Sequence, residues 1–230
     1  MSLPRETPPG ELLLVNKPKG WTSFDVVNKI RHAAGIRKVG HAGTLDPLAT
    51  GLLLVCTGAR TTDLSSFVGL EKAYRVSMRL GERTASFDAD TPVTETRSTD
   101  GITAERVSET LAAFVGEQQQ IPPMWSAVKV QGRRLYQYAR KGIEVERQPR
   151  TVVISAITPV VATPPDVVFD VVCSKGTYVR TLVEDVGLTL GCGAHVTALE
   201  RTRIGAFRLE EAWAIDDLVR MLLMRRGQAA

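Results

Sequence analysis

Apolar residues recur along the chain with two different periods, and each change of period marks an element. Leu12 to Val15 is a short apolar run that reads as a strand, ended by Asn16-Lys17-Pro18-Lys19-Gly20. Thr22 and Asp25 then form a T-x-x-D capping box. Phe24, Val27, Ile30 and Ala34 follow at helical spacing until Gly35 stops the helix, which puts its bases on the outer faces. Leu52 to Thr57 is apolar without alternation, the pattern of a strand buried on both sides, and a short helix follows from about Thr62 to Val68. From Ala73 to Leu80 the alternation is strict. Tyr74, Val76, Met78 and Leu80 share one face and Arg75, Ser77 and Arg79 the other, so Tyr74 points inward.

Ala85 to Gly101 is rich in Thr and Asp and has no period, which predicts a loop. A helix from Thr103 to about Val115 carries Val107, Leu111 and Phe114 on one side. Ile121-Pro122-Pro123 then breaks the chain ahead of a strand from Ser126 to Val130 and a short helix, Leu135 to Arg140, closed by Gly142. Strands Thr151 to Val161 and Val167 to Cys173 flank a Pro164-Pro165 turn. Thr177 is placed to cap a helix from Tyr178 to Leu190, apolar at Val179, Leu182, Val183, Val186 and Leu190, with Arg180 in its first turn and Gly191 at its end. A last strand, His195 to Phe207, and an amphipathic helix, Asp216 to Met224, follow. Strands and helices mix without regular βαβ alternation, and several strand pairs are close enough in sequence to be antiparallel. The pattern predicts one α+β domain over residues 1–230, with a mixed, largely antiparallel sheet flanked by helices and an amphipathic helix within 209–230.

Composition narrows the class. With 43% hydrophobic and 23% charged residues the chain is globular rather than disordered or fibrous. No apolar run approaches the length of a membrane span, and Met1 to Gly10 has Pro and acidic residues where a signal peptide needs an apolar core, so the expectation is a cytoplasmic protein. Cys56, Cys173 and Cys192 are odd in number and far apart, with no C-x-x-C pair, which argues against disulfides and structural zinc. The net charge of +4 is modest, but its distribution is uneven. Between Asn16 and Leu45 the bases Lys17, Lys19, Lys29, Arg31, Arg37 and Lys38 face Asp25 alone, and Lys129 to Gly142 holds Lys129, Arg133, Arg134, Arg140 and Lys141 with no acid. Two readings stay open: solvated faces, or a phosphate-binding surface with Arg37, Lys38, Lys129 and Arg133 as contacts.

Candidate chemistry centres on Gly43-Thr44-Leu45-Asp46-Pro47-Leu48-Ala49-Thr50-Gly51. Pro47 disfavours the α region for the residue before it, so Asp46 is presented in extended backbone at the lip of a loop; the plain alternative is an ordinary Asp-Pro turn. There is no Walker A loop, no G-x-G-x-x-G and no H-E-x-x-H, which leaves nucleotide hydrolysis, dinucleotide redox and zinc hydrolysis without support. Gly40-His41-Ala42-Gly43 matches the G-x-x-G of KH domains, but that clamp belongs between two helices. His41 is either a phosphate or base contact or a structural histidine.

The run from Lys38 to Leu53, K-V-G-H-A-G-T-L-D-P-L-A-T-G-L-L, closely resembles the catalytic-loop motif of the TruB family of tRNA pseudouridine synthases. Further stretches agree in the same order. They are Asn16 to Ser23 (N-K-P-K-G-W-T-S), Lys72 to Val76 (K-A-Y-R-V), Pro122 to Lys129 (P-P-M-W-S-A-V-K), and Cys173 to Leu182 continuing through Gly191-Cys192-Gly193-Ala194-His195. The resemblance covers about residues 11–208. Asn16, Trp125 and Glu200 depart from the residues most common at their positions. Many bacterial relatives continue into a C-terminal PUA domain, and none is expected within these 230 residues.

The resemblance implies conversion of the T-loop uridine at tRNA position ~55 (conventional tRNA numbering) to pseudouridine by base flipping, without cofactor or metal. It implies Asp46 as nucleophile, Tyr74 stacked on the target base and Arg180 paired with Asp46. His41 fills the space of the flipped nucleotide, and Lys19, Tyr178 and Leu199 line the pocket. Side-chain chemistry is compatible with these roles: a nucleophilic carboxylate must stay ionised, which an adjacent guanidinium favours, and an extruded base calls for an aromatic platform. Taken without the resemblance, Tyr74 reads as a core tyrosine and Arg180 as a surface helix residue. The partner implied is the tRNA T-arm, bound by a monomer with no obligatory protein partner and no membrane. A module that binds or folds the T-arm without catalysis is the alternative, and a carboxylate placed against phosphates argues against it.

Overall fold

The structure is a computed structural model and describes residues 10–228. The chain forms two compact units, one made of the residues up to Ala73 together with those from Glu200 on, the other of Tyr74–Leu199. The first unit opens with β1 (Leu12–Lys17), α1 (Ser23–Ala34), β2 (Val39–Ala42), β3 (Thr50–Thr57), a 3₁₀ turn (Gly58–Asp63) and α2 (Leu64–Val68). The predicted capping box starts α1: Thr22 Oγ1 accepts the Asp25 N–H at 3.1 Å, and the Asp25 carboxylate accepts the Thr22 N–H at 2.8 Å. The Thr22 hydroxyl, which donates to the same carboxylate at 2.7 Å, and then the Thr22 N–H hold the Asp25 carboxyl below its ordinary pKa. Gly35 closes the helix at φ 67°, a left-handed conformation glycine adopts without penalty. The buried stripe of α1 is Val26, Val27, Ile30 and Ala33, so Phe24 is not a core position; it is 58% exposed and Arg31 lies over its ring. The apolar count favoured Phe24, but one turn later the helix faces the core with Val26 and Val27.

Strand β3 is buried on both faces as its unbroken apolar run predicted. Leu53 and Val55 pack with Val27, Ile30, Leu13 and Val15, whereas Leu52 and Leu54 pack with Ala42 and Ile204 on the opposite side. Each such fully buried side chain stabilises the fold by about 1.5–3 kcal/mol. β1 lies antiparallel to β3 from Leu12↔Cys56 to Lys17↔Gly51, and β2 antiparallel to it from Val39↔Thr57 to Ala42↔Leu54.

In the second unit follow β4 (Lys72–Leu80), β5 (Glu82–Thr84), β6 (Val93–Thr96), α3 (Ala104–Ala113), β7 (Gly116–Gln120), β8 (Lys129–Val130), β9 (Arg133–Arg134) and α4 (Leu135–Ala139). β10 (Arg150–Thr163), β11 (Asp166–Cys173), α5 (Val179–Leu190) and β12 (Ala194–Ile204) complete it, and β4 and β12 carry the chain across the two boundaries. β4 alternates as predicted, with Val76, Met78 and Leu80 buried. Three expectations are corrected. Within 85–101, β6 pairs antiparallel with β5 although its residues are mostly exposed and show no apolar alternation. Of the strand expected over 126–130 only Lys129–Val130 is formed, folded back on Arg133–Arg134. Gln131 and Gly132, both at positive φ, make that turn. Thr177 does not cap α5: the N-cap is Tyr178, and the Thr177 hydroxyl donates to the Ser174 carbonyl at 3.0 Å.

Asp185 on α5 has its pKa raised from 3.8 to about 6, first by burial and then by the neighbouring Glu184 carboxylate. Because the folded value lies above the unfolded one, its stabilising contribution is complete below about pH 4 and is lost as pH rises through 6. Asp185→Asn is therefore expected to be more stable than the parent at pH 8, by about 1–2 kcal/mol after solvent screening. The two proteins should converge as pH falls below about 4. Thermal melts at both pH values check this, and equal differences at the two would refute it.

Returning to the first unit, β12 runs into β13 (Phe207–Arg208), β14 (Trp213–Ala214) and α6 (Ile215–Gln228). The last strand is thus two, because Gly205 at φ 55° reverses the chain between them. β14 lies parallel to β1, and α6 buries Ile215, Leu218 and Leu222 against α1. Both units are α+β, and their strand pairing is largely antiparallel. Among the described residues no helix is long and apolar enough to cross a membrane.

Candidate active site

In the first unit the loop 43–49 joins β2 to β3 and carries Asp46. Leu45, Leu48 and Ala49 are buried anchors, and Asp46 sits half-buried between them. The Ala49 N–H closes a turn on the Asp46 carbonyl at 3.1 Å. Ser23, the first residue of α1, grips Leu45 twice: its Oγ accepts the Leu45 N–H at 2.8 Å and donates to the Leu45 carbonyl at 3.2 Å. The Pro47 carbonyl accepts the Gly20 N–H at 2.8 Å and Lys17 Nζ at 3.4 Å. Lys17 is fully buried and also donates to the carbonyls of Pro18, at 2.9 Å, and Trp21, at 2.6 Å. It therefore does not belong to the basic surface on which its charge had placed it. A buried ammonium is tolerated only when its donors are used, and here they hold the N-K-P-K-G turn beneath Asp46-Pro47.

Arg201, which no sequence signal singled out, lies 1% exposed between the two legs of the loop. Its Nε donates to the Leu52 carbonyl at 2.7 Å and its Nη2 to the Gly43 carbonyl at 3.0 Å. β12 runs parallel to β3 here, with Gly51 opposite Arg201. Gly51 has φ +99°, and a Cβ on it would fall 2.4 Å from the Arg201 carbonyl oxygen. Backbone cannot yield as a side-chain tip can, so Gly51→Ala combines left-handed strain with overpacking and is expected to cost about 3 kcal/mol. Calorimetry should show a fall in Tm of roughly 6–12 °C; an unchanged Tm would contradict this.

His41 on β2 is half-buried, and its Nδ1 has no hydrogen-bond partner among the described residues. Burial, reinforced by the charge of Arg201, pushes its pKa below the ordinary 6.5, so the imidazole is neutral near pH 7. Lys19, Arg37 and Lys38 are exposed.

In the second unit Tyr74 faces inward on β4, 9% exposed, and Leu199 is buried on β12. Arg180 is 4% exposed and therefore not a surface helix residue. Its Nη1 donates to the Ser86 carbonyl at 2.7 Å, its Nη2 to the Trp125 carbonyl at 2.8 Å, and its Nε lies 3.4 Å from the carboxylate of Asp88. Asp88 was hidden in the segment read as a featureless loop. Phe87, held at φ 63°, turns the chain so that the Ser86 carbonyl and the Asp88 side chain both reach Arg180. Backbone bonds between Phe87, Ala89 and Val196 fix that turn to β12. Asp88 accepts further bonds from the Ser86 hydroxyl and the Asp90 N–H, as a buried carboxylate must. Tyr178 is half-buried; the side chain of Gln120, 2% exposed, accepts its N–H at 2.9 Å and donates to its carbonyl at 3.2 Å. Lys129 and Arg133 are exposed on the β8–β9 hairpin.

Comparison with known proteins gives this arrangement its class. The model described as TruB family pseudouridylate synthase (N terminal domain) matches residues 31–179, and that of the tRNA pseudouridylate synthase B C-terminal domain matches 180–230. The chain is 47% identical over 215 residues to a protein of Parabacteroides distasonis named tRNA pseudouridine synthase B, covering 91% of this chain and 92% of that one. It is 49% identical over 207 residues to one of the same name in Burkholderia pseudomallei, covering 90% of this chain and 68% of the other. Among solved structures it is similar to a Cbf5-Nop10-Gar1 complex, with TM-score 0.73 and 30% identity. That match covers 95% of this chain and 56% of the chain it matches, so the present chain spans just over half of it. An H/ACA RNP bound to a substrate RNA containing 2′-deoxyuridine is also similar, at TM-score 0.70 and 27% identity. Fold and matches together define an RNA-modifying isomerase, a pseudouridylate synthase. Within that class the chain belongs to the TruB family.

Proposed function

We propose that the chain isomerises the uridine at about position 55 (conventional tRNA numbering) in the T-loop of tRNA, with Asp46 as the nucleophile. The observation that carries this reading is the rigid presentation of Asp46. Its flanking carbonyls and amides are tied by Ser23, Lys17, Gly20 and Arg201, and Asp46 itself is half-buried. In the reaction the N1–C1′ glycosidic bond breaks, the base turns, and C5 bonds to C1′. C5 gives up its proton and N1 gains one, so composition is unchanged and no redox partner enters. The target base leaves its stack at a cost of a few kcal/mol, which stacking on Tyr74 offsets. Arg180, already oriented by Asp88, Ser86 and Trp125, pairs with Asp46. Neutral His41 occupies the space of the extruded nucleotide, and Lys19, Tyr178 and Leu199 line the pocket. Arg37, Lys38, Lys129 and Arg133, all exposed, contact phosphates of the T-arm. The protein works as a monomer in the cytoplasm.

Incubation with unmodified tRNA followed by chemical mapping tests the proposal. One pseudouridine in the T-loop is expected, formed also on an isolated T-arm stem-loop with kcat/KM within about tenfold of whole tRNA, or ~1.4 kcal/mol. Tight binding without product would leave only a binding module, and product at another position would overturn the assignment of the substrate.

A further inference from the structure

Arg150, the first residue of β10, is not engaged by the mechanism proposed above. Its guanidinium lies over the ring of Tyr178, 5.5 Å from the centroid, and its Nη1 is 3.8 Å from where a Cβ on Gly176 would stand. Gly176 has φ +82°, and with no side chain it leaves the guanidinium its place between the Lys175-Gly176 turn and the tyrosine ring. In the ladder, Arg150 stands opposite Gln120, the residue that grips the Tyr178 backbone through both its N–H and its carbonyl. The neighbouring Arg147 is spent on protein acceptors, the carbonyls of Pro122 and Val145 and the carboxylate of Glu144. The Arg150 guanidinium makes neither an ion pair nor a hydrogen bond among the described residues.

A guanidinium stacked on an aromatic ring has already lost most of its rotational freedom, while its five N–H donors remain available at the edge. With no acceptor among the described residues, that fork suits a planar-facing anion bound from outside, and on a nucleic-acid enzyme that anion is a phosphate. We propose that Arg150 is an RNA-binding residue that takes a backbone phosphate of the substrate at the Tyr178 wall of the pocket, with Lys175, exposed on the adjoining turn, adding to the local positive field. The inference rests on the reading of Tyr178 as a pocket residue for RNA. It differs from a purely structural role, in which Arg150 would do no more than orient the Tyr178 ring.

Three forms of the full chain separate the possibilities: the parent, Arg150→Gln, which removes the charge, and Arg150→Lys, which keeps charge but loses the planar stack. Affinity for T-arm RNA by filter binding from low to physiological salt, and single-turnover rate at saturating RNA, are measured for each, with thermal melts as a check on folding. For Arg150→Gln, Kd and KM are expected to rise about tenfold at low salt, with the log–log salt slope reduced in magnitude by about 0.7–0.9, one phosphate contact. The saturating rate should stay within about twofold, and Arg150→Lys should keep the parental slope. An unchanged Kd and slope in Arg150→Gln would overturn the proposal, as would a reduced saturating rate with unchanged affinity, which marks Arg150 as a support for Tyr178 alone. A parent that neither binds nor modifies the RNA would defeat the functional reading itself, a result distinct from both.

Discussion

Asp46→Asn is expected to lose pseudouridine formation by on the order of 10⁴-fold or more while tRNA binding stays within about tenfold, or ~1.4 kcal/mol. The substitution is nearly isosteric, and the loop that carries it is held by backbone hydrogen bonds and by the buried Leu45 and Leu48. The amide therefore inherits the same position and loses only charge and nucleophilicity. Single-turnover assays on unmodified tRNA, with binding measured in parallel, separate the two effects. Formation of product at a rate near that of the parent would remove Asp46 from the chemistry. Loss of binding along with turnover would indicate that the carboxylate shapes the loop.

Arg180→Lys is expected to lower the single-turnover rate by on the order of 10²–10³-fold and to destabilise the protein by about 1–3 kcal/mol. The guanidinium reaches two carbonyls and a carboxylate from three nitrogens spread over a rigid plane. An ammonium at the end of a lysine stem is a point donor and cannot meet Ser86, Trp125 and Asp88 together, so buried acceptors are left short of partners. If charge alone sufficed opposite Asp46, the lysine variant would keep its rate even as its Tm fell. That combination would reject the planar-fork requirement and retain the ion pair.

What could be foreseen from residues alone depended on whether side-chain type and position agreed. Tyr74 was placed correctly because strict alternation left it only one face, and β3 because an unbroken apolar run has no other use. Lys17 was misplaced because lysine is ordinarily exposed, and nothing local reveals that carbonyls from three other residues converge on it. Arg201 and Asp88 were passed over for a related reason: their partners lie far away in sequence, up to Gly43 for Arg201 and Arg180 for Asp88. β7, with its Gly-Glu-Gln-Gln-Gln sequence, has no hydrophobic period, yet ladder bonds to β10 make it a strand and set Gln120 against Tyr178. The family motifs include Lys17, Tyr74, Tyr178 and Arg180 but not Asp88, Arg201 or β7, and they give none of the contacts that explain these positions.

The first unit is assembled from two ends of the chain, and this bears on when it can exist during synthesis. The Asp46 loop depends on Arg201, and the core under α1 depends on Ile215, Leu218 and Leu222. A nascent chain that has emerged only as far as residue 199 holds every residue of the second unit but lacks the guanidinium that ties Gly43 to Leu52. Such long-range pairing is slow to form and is made late, after the intervening segment has been ordered. Asp46 therefore becomes positioned only after Arg201 and the apolar residues of α6 have been made, and a product terminated before them that folds its central segment carries Asp46 on a loop whose two legs are not tied.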